Sequence, residues 1–202
     1  MAVGGSLFRI AISSAPFLLP LLFQVAFGMS AVRSGTLMLA LFAGNLAMKP
    51  ATTALMRRCG LRAVLVGNGL LVAAGFAACA AFTAATPFAL VAAVLFFTGL
   101  TRSMQFTALN TIAFADVPKA QMSGATTLFS MLQQMNSGLG IACGALALKL
   151  GALLRGGEGM HARPADFRIA FLLMGALALL ALVDAARLPR DAGAEVVSRQ
   201  HA

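Results

Sequence analysis

The chain has 202 residues, of which 60% are hydrophobic and only 10% charged, with a mean hydropathy of +0.90. Soluble domains carry about 25% charged residues, so this composition excludes a soluble globular domain and points to an integral membrane protein. The net charge of +9 is distributed between apolar segments rather than gathered in one patch, which argues against a nucleic-acid partner and for membrane lipid, with the basic residues acting as topology signals.

A helix needs about 20 mostly apolar residues to cross a bilayer. Six segments qualify, near 8–28, 33–56, 62–83, 88–114, 121–148 and 167–188, predicting an all-α six-helix transmembrane bundle. The first is interrupted by Pro16 and Pro20, carries Ser13, Ser14 and Gln24, and is too long to be a cleavable signal peptide. In the second, Asn45, Lys49 and Thr52 share a helical face, and Pro50 frees the carbonyl of Leu46. The third has only Asn68 near one end. In the fourth, Thr98, Arg102 and Gln105 share a face, with Asn110 further along. In the fifth, Gln133, Ser137, Gly140 and Gly144 form a small and polar seam, the two glycines at the GxxxG spacing that lets helices pack closely. The sixth has no polar side chain between Arg168 and Asp184.

Turns or charges separate these segments: Gly28 to Arg33, Arg57 to Arg62, Thr83 to Pro87, Asp116 to Lys119, and a long loop from Lys149 to Arg168 that holds His161. The tail, 189–202, is polar. An even number of spans puts both termini on one side, with Arg9, Arg57, Arg58, Arg62, Lys119, Arg187, Arg190 and Arg199. The other side has Arg33, Lys149, Arg155, Arg163 and Arg168. Eight against five predicts cytoplasmic termini by the positive-inside bias, and the membrane is expected to be a bacterial-type inner (plasma) membrane. Cys59, Cys79 and Cys143 form no CxxC, and both histidines lie in polar segments, so no metal or disulfide framework is expected. Trp and Tyr are absent, leaving interfacial anchoring to Arg and Lys.

Polarity is shared unevenly. The first, second, fourth and fifth segments carry polar stripes, whereas the third and sixth are plain and are expected to face lipid. The rhythm polar, polar, plain occurs twice, as in a three-plus-three inverted repeat whose third members sit outside.

The segments Ser14–Gly28 (SAPFLLPLLFQVAFG), Met56–Leu65 (MRRCGLRAVL) and Gly99–Pro118 (GLTRSMQFTALNTIAFADVP) resemble the C-terminal six-helix half of a major facilitator superfamily transporter. The likeness covers nearly the whole chain and is nearest the fourteen-helix drug:proton antiporter branch. That family's cytoplasmic loop signature runs Gly, acid, base, Gly, base. Here Arg58, Gly60 and Arg62 match the basic, glycine and basic positions, while Thr53 and Arg57 stand where the first Gly and the acid would fall. The resemblance implies alternating access, export of a small amphiphilic substrate, and a proton gradient rather than any cofactor. It implies too a partner, either a missing N-terminal half or a second copy, the chain being a fragment or truncated product.

A cation in hydrocarbon costs roughly 2.5–3.5 kcal/mol on insertion scales and is kept where it meets a partner or a wet cavity. Arg102 lies roughly 22 Å along its helix from Pro87 at about 1.5 Å per residue, near mid-membrane. It is the foremost candidate for a cavity or ion-pair role. Lys49, about 10 Å from the helix end, reaches the interface more easily. Gln24, Asn45, Gln105, Gln133 and Asn136 are candidate substrate contacts, with interhelical hydrogen bonding the plainer alternative. Gly140 and Gly144 read as packing residues, and Arg57, Arg58, Gly60 and Arg62 as topology and loop-gating residues. No acidic residue lies inside an apolar core, so a proton-binding carboxylate is expected in the partner half, opposite Arg102 or Lys49. A self-sufficient homodimeric pore is the alternative reading. An enzyme is disfavoured, since no carboxylate pair, Ser/His/Asp set or His/Cys cluster comes together.

Overall fold

Apolar runs of bilayer length leave the backbone no hydrogen-bond partner but itself, so they fold as helices. The computed structural model describes residues 2–114, 117–118, 121–155 and 162–186, with side chains described for 4–114, 117–118, 121–155 and 162–183. Lys119, His161 and the tail lie outside the described residues. The helices are α1 (Ala2–Leu21, continued by a π-helical segment Leu22–Ala26), α2 (Ala31–Cys59), α3 (Leu61–Ala80), α4 (Phe88–Ala113), α5 (Met122–Leu154) and α6 (Pro164–Ala186). All six are long and apolar enough to cross a membrane.

Several features differ from expectation, α1 already beginning at Ala2 and α2 running on to Cys59. Pro16 and Pro20 do not interrupt α1, which runs helically through both and widens into the π segment just beyond them. Such local widening re-satisfies backbone groups that a proline leaves unpaired. α5 continues past Lys149 to Leu154, and α6 begins at Pro164, so residues 149–154 and 164–168 of the expected loop are helical. A capping cluster sets the start of α6. Pro164 occupies the first helical position, and the Asp166 carboxylate turns back to accept the Arg163 N–H at 2.8 Å. Its other oxygen accepts from Arg155 at the end of α5, with Nε at 2.7 Å and Nη2 also engaged.

Lipid is as apolar as leucine, so helices in a bilayer associate through close contact rather than through burial of oil. α2 packs most extensively on α4, α3 on α6, and α1 on α5, with α1 also on α6 and α3 on α4. Exchanging each helix of the first triplet for its counterpart in the second maps α2–α4 onto α1–α5 and α1–α6 onto α3–α4, and leaves α3–α6 in place. Three spans per triplet give the two triplets opposite directions, so the packing has the form of an inverted repeat.

The expectation that α3 and α6 are lipid-facing throughout is corrected. They bury more of their length than α2 or α5 do, because phenylalanine and leucine pack without any polar cue. Phe76 and Phe171 meet at 6.4 Å between centroids, and Phe8 and Leu182 close over Gly69. Only their outer faces, including Leu71, Leu172 and Leu180, are exposed. α2 and α5 are the least covered helices.

The α2–α4 crossing is set by glycine. A Cβ on Gly44 would stand 2.0 Å from the Phe96 carbonyl oxygen, and one on Gly99 2.0 Å from that of Leu41. Gly99→Ala is therefore expected to destabilise the bundle by about 1–3 kcal/mol, read as earlier thermal loss of helical circular dichroism in micelles. Gly67→Ala, whose added methyl meets nothing within 4 Å, is the control. Equal melting of the two variants would show that the crossing is looser than described.

Candidate functional site

The first helix carries a cation near its start, and the helix packing places it inside. Arg9, counted from sequence as a topology charge on the rim, is only 6% exposed. Its Nη2 donates to Asn110 Oδ1 of α4 at 2.9 Å. Its Cζ lies 4.6 Å from the Phe129 ring centroid of α5 and 5.8 Å from that of Phe106 of α4. Its Nη1 is buried with no hydrogen-bond partner. The spacing that hid it is simple: at the edge of the first apolar run, a snorkelling arginine and an inward one look alike.

Arg102 shares the same ring. Its Cζ stands 5.6 Å from the Phe106 centroid, and its Nη1 is likewise buried without a partner. Cations within about 6 Å of an aromatic face are stabilised by the ring quadrupole, by about 2 kcal/mol or more once desolvated. Phe106 thus gives two guanidiniums partial solvation, and Asn110 helps one of them. Neither has a carboxylate partner among the described residues. Asp166 is held by Arg155 at the opposite end of the bundle.

Beside Arg9 is a cavity of about 540 Å3 between α1, α4 and α5, at the end of the bundle where α1 begins. Apolar side chains such as Ile112, Leu128 and Leu132 form much of its wall, while Ser6, Arg9, Gln133 and Asn136 supply polar groups. Asn136 is buried, its Nδ2 3.5 Å from Ser6 Oγ.

The other expected site residues are dispersed. Gln105 is fully buried and turns to α3, where its Oε1 accepts from Asn68 Nδ2 at 2.8 Å while the same nitrogen donates to the Thr101 carbonyl at 2.8 Å. Positions three apart on a helix differ by about 60° in direction, enough to send Gln105 into the α3–α4 contact and Arg102 to Phe106. Gln24 is exposed in the π segment at the far end, donating to Ser34 Oγ at 3.3 Å. Asn45 sits at the Gly44–Gly99 crossing, with its backbone nitrogen against Gly99. Lys49 is exposed on α2 and does not line the cavity. Gly140 packs on Ile10 and Ser13 of α1, and Gly144 on Ser14 and Leu18.

The loop residues make a one-residue turn. Arg57 and Arg58 occupy the last turn of α2, Gly60 links the helices at φ +77°, and Arg62 opens α3. At φ +77° and ψ 149° the backbone lies in a region nearly reserved for glycine, and another residue there would cost about 1–3 kcal/mol. The two arginines at the α2 C-terminus complement the helix dipole.

With this geometry in place, the similarity to known proteins is informative. The family model of the Major Facilitator Superfamily matches residues 1–201. The chain belongs to the major facilitator superfamily. A Pectobacterium carotovorum protein named as multidrug resistance protein MdtD is 32% identical over 72% of this chain and 31% of its own length. A Klebsiella pneumoniae protein of the same name is 30% identical over 99% of this chain and 43% of its own. A Haemophilus influenzae protein named as transport protein HsrA is 32% identical over 70% of this chain and 31% of its own. The chain spans less than half the length of these curated relatives. Membership of this superfamily points to transport rather than catalysis, in a multi-pass membrane protein.

The Asn68–Gln105 pair gives a test of the packing. Asn68→Leu removes the donor but leaves a buried amide, and an orphaned buried polar group costs about 1–3 kcal/mol. The double variant Asn68→Leu/Gln105→Leu removes both partners and is expected to recover most of the loss. Unfolding midpoints in micelles of the single and double variants decide this. A double variant no more stable than the single one would show that Gln105 is satisfied elsewhere.

Proposed function

We propose that the chain forms one six-helix bundle of a secondary active exporter that moves small amphiphilic compounds against a proton gradient, by rocking two such bundles around a shared central site. The observation that carries this reading is the Arg9–Phe106–Arg102 cluster beside the cavity. Two desolvated cations with no counter-charge among the described residues are costly in a passive anchor, and intramembrane charges mark solute pathways. An apolar-walled cavity with a few converging polar groups suits an amphiphile.

The second bundle is an N-terminal half or a second copy of the chain. The sparsely covered faces of α2 and α5 fit contact with it. Arginine is a poor proton carrier, so the titrating group is a carboxylate of the second bundle facing Arg102 or Lys49. The membrane is the inner (plasma) membrane, with both termini cytoplasmic. With Arg9 withdrawn into the interior, the charge bias still favours this by seven to five. The MdtD relatives are named for multidrug resistance, which supports drug-like substrates.

Everted membrane vesicles from cells expressing the chain test the reading. A radiolabelled decyl amphiphile is expected to accumulate inside when respiration acidifies the lumen, and to leave when a protonophore dissipates the gradient. Arg102→Gln is expected to lower the initial rate at least tenfold, about 1.4 kcal/mol, and to flatten its pH dependence. Transport and pH dependence unchanged in that variant would reject the role of Arg102. Accumulation indifferent to the protonophore would reject proton coupling.

A further inference from the structure

Arg9 is the least solvent-exposed cation among the described side chains, and its Nη1 has no hydrogen-bond partner. It borders a cavity whose other walls are mostly oil. We infer that this cavity binds the acidic head of an amphiphilic organic anion, a carboxylate in the first instance, with Arg9 as its anchor. The inference rests on the amphiphile-transport reading above and adds the sign of the substrate's charge.

The donors decide the chemistry. Arg9 Nη2 is committed to Asn110, and its guanidinium is stacked near Phe129 and Phe106. Nη1 remains buried and unpaired. A neutral guest leaves the charge uncompensated, and a cationic guest adds repulsion in a low-dielectric site with a second guanidinium, Arg102, on the same ring. An anion both accepts from Nη1 and neutralises the charge, and a charge-assisted hydrogen bond is roughly twice as strong as a neutral one. Gln133 and Asn136 on α5 offer amides on the cavity's polar side, while Ile112, Leu128 and Leu132 suit an alkyl or aromatic tail. Among the described residues no acid fills the position: Arg9 has no carboxylate partner there, and Asp166 is engaged at the far end of the bundle.

The chain in nanodiscs of zwitterionic lipid, dialysed against radiolabelled decanoate, decan-1-ol or decyltrimethylammonium with empty discs subtracted, tests this. Decanoate is expected to bind at least tenfold more tightly than either of the others, about 1.4 kcal/mol. Arg9→Gln is expected to erase the preference and Arg9→Lys to keep part of it. Arg33→Gln, an exposed arginine at the far end, leaves it unchanged. Leu132→Trp fills the cavity without touching Arg9 and is expected to weaken decanoate at least tenfold, which keeps the test open if Arg9 variants fail to fold. Equal binding of the three probes, or a preference that survives Arg9→Gln in folded protein, overturns the inference and leaves the exporter reading standing. Binding of none of them overturns that reading instead.

Discussion

Backbone contact at two helix crossings determines where everything else in this bundle lies. Leucine gains almost nothing by leaving lipid for protein, so a membrane helix pair is held by how near the two backbones come. Gly44 and Gly99 bring α2 and α4 together, and Gly140 and Gly144 do the same for α5 and α1. These contacts fix α4 and α1 relative to their neighbours, and with them the three side chains that matter most: Arg9 on α1, and Arg102 and Phe106 on α4. A methyl group at Gly99 would collide with backbone rather than with a flexible side chain, so the crossing has no easy way to adjust.

The energetic consequence is a site held short of full satisfaction. Aromatic faces and one amide replace part of the water that two guanidiniums lose, and an arginine stacked on a ring keeps its in-plane N–H groups free to donate. What the described residues leave unfilled is a negatively charged acceptor for Nη1 of each. A soluble protein would meet such a need with an internal carboxylate. Here the acid with a described side chain is spent on Arg155, where it caps α6 and ties it to α5.

The sequence made some of this legible and concealed the rest for physical reasons. Six apolar runs of bilayer length were sufficient to place the helices, since nothing else satisfies backbone in lipid. The GxxxG spacing at Gly140 and Gly144 identified a packing seam. Arg9 is concealed because charge at a run's edge is ambiguous until neighbouring helices are known. Gln105 and Arg102 were grouped by helical spacing, but a helix three or four residues wide at its polar stripe faces two neighbours, and α3 claimed one of the pair through Asn68. Plainness in α3 and α6 suggests lipid exposure. Apolarity does not distinguish a face against lipid from one against phenylalanine, so the sequence was silent on the α3–α6 contact.

The packing is nearly symmetric between the two triplets, yet its decoration is not. α1 and α4 occupy corresponding places in the contact pattern and run in opposite directions. Symmetric charges would therefore stand toward opposite membrane faces. Instead Arg9, early in α1, and Arg102, past the middle of α4, both lie in the half of the bundle where α1 begins, around one ring and beside one cavity. The α5–α6 corner, at the other end, carries its own asymmetry: the Asp166–Arg155 clasp ties those two helices, whereas α2 and α3 meet through the single hinge residue Gly60. A scaffold with inverted symmetry supplies two related arrangements of the same helices, and alternating access uses such a pair. Under the proposed exporter reading, charge placed on one side of that scaffold would make the two arrangements unequal in energy, by an amount that depends on whether an anion occupies the cavity. On that reading symmetric packing would supply the two states, and the asymmetric arginines would make their balance sensitive to a ligand.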